Sequence, residues 1–214
     1  MVCVLPVGSY EQHGPHLPPT VDVEIAQYIS KKVAEEVGGV ALPPVVYTCS
    51  REHSGFKNTI SVSCRVFIQY LEEVVTSAVE KCGVLIIVIG HGGVVDAVKV
   101  VEHEVNNQRG PRAYSINIWS YLKARDHAGT DETNIYLATG GRLVGEVAEI
   151  CEGDVSLFGK APVHYFSKSG VVGCLKPSEI DIEKGYEKLS KALEKILEDV
   201  KKFLTIHYTF SKRL

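Results

Sequence analysis

Residues 83–90, Gly83-Val84-Leu85-Ile86-Ile87-Val88-Ile89-Gly90, set six branched apolar side chains in a row between two glycines. A strand with one wet face would alternate, so this unbroken run predicts a central strand covered on both faces. Helical stripes flank it. Upstream, Phe67, Tyr70, Leu71, Val74, Ala78 and Cys82 recur at helical spacing and stop at Gly83. Downstream a helix is expected from about Val94 to Gln108, its valines held by packing rather than propensity. Further out, Met1–Val7 and Ala113–Trp119 read as strands, and Val40–Tyr47, broken by Pro43-Pro44, as a weaker or edge strand. Ala26, Ile29, Val33 and Val37 mark a helix ended by Gly38-Gly39. A short helix is expected over Glu132–Thr139 and a long one from about Ser178 to Leu204. Residues 157–177 read as loop with short strands, and the alternating stretch after Leu204 as an edge strand or a subunit contact. Strands alternating with helices at these lengths predict β-α-β units. The expected fold is α/β, a three-layer sandwich with a mostly parallel central sheet and helices on both faces, in one domain spanning 1–214.

Composition excludes several classes of function. The chain has 214 residues, 45% hydrophobic and 23% charged, which is ordinary for a globular protein. Lys plus Arg is 23 and Asp plus Glu 26, so no basic surplus exists to neutralise phosphates, and nucleic acid is not an expected partner. The longest apolar run falls far short of the roughly 20 residues a membrane span needs, so no membrane partner is expected. The first residues lack the features of a signal peptide. The six cysteines form no CxxC pair. They are expected to be reduced, mostly buried thiols, and the protein cytoplasmic.

Parallel sheets place their chemistry beyond the carboxyl ends of the strands. Glu11, His13 and His16 follow the first strand; Ser50, Glu52 and His53 follow the second; His91 follows the third. Asp126, His127, Asp131 and Glu132 follow the fourth. Five of the eight histidines, at 13, 16, 53, 91 and 127, therefore share one rim with carboxylates, as a metal-binding active site requires. Each piece also has a plain structural reading. Asp22 stands where a helix N-cap belongs, Gly-His-Gly-Gly at 90–93 is a tight turn able to hold a phosphate, and Glu132 faces a helix dipole. Four independent segments decorating one rim outweigh those separate accounts.

LPVGSYEQHGPHLPPTVD, REHSGFKNTIS, GHGG and HAGTDET, in that order, resemble the creatinine amidohydrolase (creatininase) family from about Leu5 to Val144, with a fainter likeness beyond. The resemblance implies two divalent metal ions, Zn, Mn or Fe. Glu11, Asp22 and His91 would hold one, and His13 and Asp22 the other, with Asp22 bridging. Creatininase has a glutamate two residues after the third-motif histidine, where this chain has Gly93. Glu132 is expected to supply the missing ligand and to share the catalytic role with His127, which would carry a proton to the leaving nitrogen. Ser50, His53, Gly90 and Gly92 are expected to contact substrate. Creatininase also has a tryptophan just ahead of the motif histidine; here that stretch is YLKARDH and the one tryptophan is Trp119.

The implied activity is hydrolysis of a non-peptide C–N bond in a small amide, cyclic or open-chain, by hydroxide formed between the ions. One branch with these motifs instead removes formate from a formylamino-pyrimidine nucleotide, whose phosphate would call on Gly92-Gly93, Arg51 or Lys57. Another trims a peptide during redox-cofactor maturation. The non-enzyme alternative is a scaffold that kept the fold without the metals. A homo-oligomer, by resemblance a hexamer, is the expected assembly.

Overall fold

In the computed structural model, which describes residues 1–211, the expected central strand is β3 (Val84–Ile89), buried at every position. It pairs in parallel with β1 (Val2–Val7), Val2 opposite Val84 through Val7 opposite Ile89. On its other side it pairs in parallel with β4 (Ala113–Asn117). β2 (Val40–Ala41) completes a four-stranded parallel sheet of order β2-β1-β3-β4. Pro43 and Pro44 confine β2 to its two residues, and past them the chain regains β1 only where the Val45 N–H donates to the Pro6 carbonyl. That is edge behaviour, because proline has no N–H for a ladder.

Alternate residues of β1 and β3 feed two cores, as the period-two geometry of a strand dictates. Val2, Val4, Val84, Ile86 and Val88 pack with α1 (Val21–Val37), α4 (Ile118–Leu122), α5 (Thr130–Ala138) and α6 (Ile182–Ser211). Cys3, Leu5, Val7, Leu85, Ile87 and Ile89 pack with α2 (Cys64–Cys82) and α3 (Val95–Arg109). The result is the expected three-layer α/β sandwich. Each fully buried Leu or Ile in it contributes about 1.5–3 kcal/mol of burial, which holds the valine-rich α3 in place despite its propensity.

Four features depart from the sequence reading. Asp22 is not the cap of α1: Thr20 holds that position and Asp22 lies in the first turn, buried. A small antiparallel pair, β5 (Ile150–Glu152) with β6 (Gly173–Leu175), lies outside the main sheet. The stretch after Leu204 is no edge strand. It continues α6 to Ser211, with Phe203 and His207 buried and the His207 Nδ1–H donating to the Pro111 carbonyl; residues 212–214 lie outside the described part. Finally, the cysteines are not reduced thiols but three disulfides, Cys3–Cys82, Cys49–Cys64 and Cys151–Cys174. The parallel topology explains the first, setting residues 79 apart side by side, and the register of β5 against β6 explains the third. Among the described residues no helix is long and apolar enough to cross a membrane.

Candidate metal centre

Two glycines bring three segments to one point beyond the sheet. A Cβ on Gly8, just past β1, would stand 2.5 Å from the Val23 nitrogen, and one on Gly90, just past β3, would stand 2.2 Å from the Asp22 carbonyl oxygen. Only glycine lets both strand ends press against the first turn of α1. Asp22 thereby meets the segment after β1, which carries Glu11 and His13, and the segment after β3, which carries His91.

His91 Nδ1 lies 3.3 Å from Glu11 Oε1 and 3.2 Å from Asp22 Oδ2. The other oxygen of the same carboxylate, Asp22 Oδ1, lies 3.4 Å from His13 Nε2, and Glu132 Oε1 lies 3.9 Å from that nitrogen. Glu11, Asp22 and His91 thus form one buried donor cluster, and His13, His127 and Glu132 a second, the donor atoms of each within 4.8 Å of one another. Asp22 faces both. A third, overlapping cluster joins Glu11, His53 and His127.

Outer hydrogen bonds aim the rings. The His91 Nε2–H donates to the Cys49 carbonyl (3.2 Å), with Glu52 Oε1 3.3 Å from the same nitrogen, so the Nδ1 lone pair turns to the carboxylates. The His13 Nδ1–H donates to the Glu11 carbonyl at 3.0 Å, so Nε2 turns inward. These are the contacts by which proteins orient imidazoles for a metal. Asp126 accepts from the backbone N–H groups of Asp131 (2.8 Å) and Glu132 (3.3 Å), which fixes the start of α5. The Ala128 N–H donates to Glu132 Oε2 and holds that carboxylate toward His13.

The residues fit divalent cations. Glu11 Oε2 and His13 Nε2 are buried without a hydrogen-bond partner, a costly arrangement that a cation between them relieves. Mixed imidazole and carboxylate donors suit Zn, Mn or Fe. Charge is equally frustrated. Burial pushes the Glu11 and Glu132 carboxyls up, the latter to about 8. Burial opposes a charge on His13, yet the Glu132, Asp22 and Glu11 carboxylates prevail and raise it to about 10. Asp22 is held well below the carboxylate range, against its burial, by His13 and His91. His127 is pushed down to about 3 by burial and by its neighbour His13.

A cavity of about 680 Å³ opens onto both clusters. Glu11, Asp22, His53, His91, His127 and Glu132 line its buried end, with Gly92 and Trp119 beside them. The exposed Arg51, Arg125 and Lys160 line its rim, and Phe158 stands edge-on to His127 with ring centroids 6.1 Å apart. Glu52, Gly93 and Asp126 also line it, whereas His13, His16, Ser50, Lys57, Gly90 and Asp131 do not. Ser50 is buried with an unpartnered hydroxyl, and the buried Gly90 accepts the Trp119 indole N–H through its carbonyl. His16 bonds Thr133 on α5, Asp131 pairs with Lys188, and Lys57 is exposed. Sequence reasoning passed over Gln12, Arg125, Phe158 and Lys160. Gln12 was the most accessible of these, since it stands between two named ligands.

The family model for creatininase, creatinine amidohydrolase, matches residues 1–200. A mycofactocin precursor peptide peptidase from Mycolicibacterium smegmatis is 41% identical over 140 residues, 63% of this chain and 56% of that protein. The chain thus matches little more than half the length of that relative. A 2-amino-5-formylamino-6-ribosylaminopyrimidin-4(3H)-one 5'-monophosphate deformylase from Methanobrevibacter ruminantium is 26% identical over 97% of this chain and 92% of its own. Among solved structures, a creatinine amidohydrolase (creatininase) shares the fold with a TM-score of 0.75 at 20% identity, covering 94% of this chain and 89% of that one.

Proposed function

The chain belongs to the creatinine amidohydrolase family, and from that premise we propose that it is a two-metal amidohydrolase cleaving an amide C–N bond. The observation that carries the reading is the division of Asp22: Oδ2 sits with His91 and Glu11, Oδ1 with His13, and Glu132 closes the second cluster. Glu11, Asp22 and His91 would hold one ion; His13, Asp22 and Glu132 the other. Bound there, two divalent cations acidify a water near neutrality and polarise the substrate carbonyl.

The chain's own groups supply the rest. His127 borders the cavity and turns Nδ1 toward Glu132, 3.9 Å from Oε2, which suits it to pass a proton to the departing nitrogen. Burial and the neighbouring His13 keep the ring neutral in the metal-free protein. His53, Gly92 and Trp119 border the space left for substrate, and Phe158 shields His127 from water.

The substrate is a small amide with a non-peptide C–N bond. A second reading, cleavage of a peptide bond, is supported by the 41% identity to the mycofactocin precursor peptide peptidase. A formamide on a phosphorylated pyrimidine is supported by a relative matched along 97% of the chain, with Arg51, Arg125 and Lys160 placed to meet a phosphate. Homo-oligomeric assembly, a hexamer by family resemblance, completes the reading. The test is a panel assay of metal-loaded protein against creatinine, a formamidopyrimidine nucleotide and short peptides. Turnover of one class selects the substrate. Folded protein that takes up no ions and turns over none of these amides favours the scaffold and sinks the proposal.

A further inference from the structure

Gln12 stands between the candidate ligands Glu11 and His13, is 5% exposed, and reaches two other histidines of the site. Its amide orientation follows from two partners of fixed polarity. Oε1 lies 2.9 Å from the Gly14 N–H, which can only donate, and Nε2 lies 3.1 Å from the Gly170 carbonyl, which can only accept. Nε2 also lies 2.9 Å from His53 Nδ1 and 3.0 Å from His127 Nε2. An amide nitrogen has two hydrogens, and Gly170 takes one.

The allocation of the other is forced. His127 Nε2 lies 2.9 Å from the backbone carbonyl of Gln12, so a hydrogen on that nitrogen satisfies the carbonyl and leaves no lone pair there for the amide. The second Gln12 hydrogen therefore goes to His53 Nδ1. A neutral imidazole carries a single hydrogen, on whichever nitrogen donates. The His53 hydrogen is then on Nε2, 3.4 Å from Glu11 Oε1, and the His127 lone pair is on Nδ1, toward Glu132.

We propose that Gln12 is a positioning residue that sets two tautomers at once, so that His53 donates to Glu11 while His127 presents a bare Nδ1 to the His13–Glu132 side of the cavity. The turn beneath it is built for this task. Gly170 has φ +87°, and a Cβ there would stand 1.8 Å from Gln12 Oε1. Glu152 on β5 anchors that turn, its Oε2 accepting from the Ser167 hydroxyl and from the backbone N–H groups of Lys168 and Ser169. Through Glu152 and this turn, β5 bears on the Gln12 amide.

The test is nitrogen-15 NMR of the histidine rings in the metal-free full-length protein, with His53→Gln and His127→Gln spectra to assign the signals. Wild type is expected to show hydrogen on Nε2 of both rings. Gln12→Glu keeps the shape but replaces the donor with an acceptor, and is expected to move the His53 hydrogen to Nδ1. After metal loading the same variant is expected to lose about 10–100-fold in metal affinity or turnover, the usual cost of an outer-shell partner. Hydrogen on Nδ1 of either ring in wild type overturns the proposal, as does an unchanged His53 in folded Gln12→Glu. If that variant does not fold, the wild-type spectrum alone decides. The consequence for turnover rests on the proposed function, but the tautomers do not, because they are read without metal or substrate. Correct tautomers in a protein without amidase activity would sink the functional reading and leave this one standing.

Discussion

Gly93 and Glu52 contend for one volume: a Cβ on Gly93 would stand 2.2 Å from Glu52 Oε1, and 2.5 Å from His91 Nε2. The missing side chain at 93 leaves the space through which Glu52, from the turn at 51–53, lays a carboxylate beside the His91 ring. Glu52 thus supports His91 at Nε2, on the side of the ring away from Glu11 and Asp22. Gly93→Ala is expected to displace Glu52 or tilt His91 and to weaken metal binding about 10–100-fold, read by titration with Zn or Mn. Unchanged affinity would show that the two positions are independent.

His127 is expected to matter for turnover far more than for metal retention. It does not pair with Asp22, whereas His13 and His91 face that carboxylate at 3.2–3.4 Å. His127→Ala should keep both ions and lose about 10²–10⁴-fold in kcat, the usual worth of a general acid–base group. Loss of an ion together with activity would make it a ligand instead.

Metal uptake should release protons. His13, raised to about 10, is protonated at neutral pH in the metal-free protein, and Glu132 beside it is raised to about 8. A ligand must give up its proton to bind, so affinity is expected to rise with pH below about 8, with at least one proton released from this pair at pH 7. Calorimetry in two buffers of different ionisation enthalpy reads that number. No proton release would mean that the pair is already unprotonated and its charge balance misread.

The disulfides are expected to carry stability. Cys3–Cys82 closes a separation of 79 residues, for which loop entropy in the unfolded chain gives about 4.5 kcal/mol. Unreduced, denatured protein should show no free thiol, and reduction should lower the denaturation midpoint. Six titratable thiols before reduction would contradict the pairing.

Much of this was legible in the chain, for identifiable reasons. β3 announces itself because burial on both faces leaves no polar position, and Glu11 and His13 do so because residues two apart in an extended segment face one way. Asp22 was legible as a bridging ligand only through the family resemblance, since by position alone cap and ligand look alike two residues from a helix start. β5 and β6 have three residues each, too few for a period to register. The end of α6 misled because the residues after Leu204 alternate as a strand would; in the structure the Thr205 and Thr209 hydroxyls donate to carbonyls one turn back and stay within the helix. Gln12 has no spacing signature at all. An amide between two ionisable residues shows its role only when its partners, 41 and 115 residues away, are folded around it.

Counting metal ions per chain in wild type and in Asp22→Ala, after loading with Zn or Mn and removal of excess, bears most directly on the shared centre. Because Asp22 gives one oxygen to each cluster, the expected result is two ions in wild type and fewer than one in the variant. A folded, metal-replete wild type that holds none, or an Asp22→Ala protein that keeps both, would contradict it.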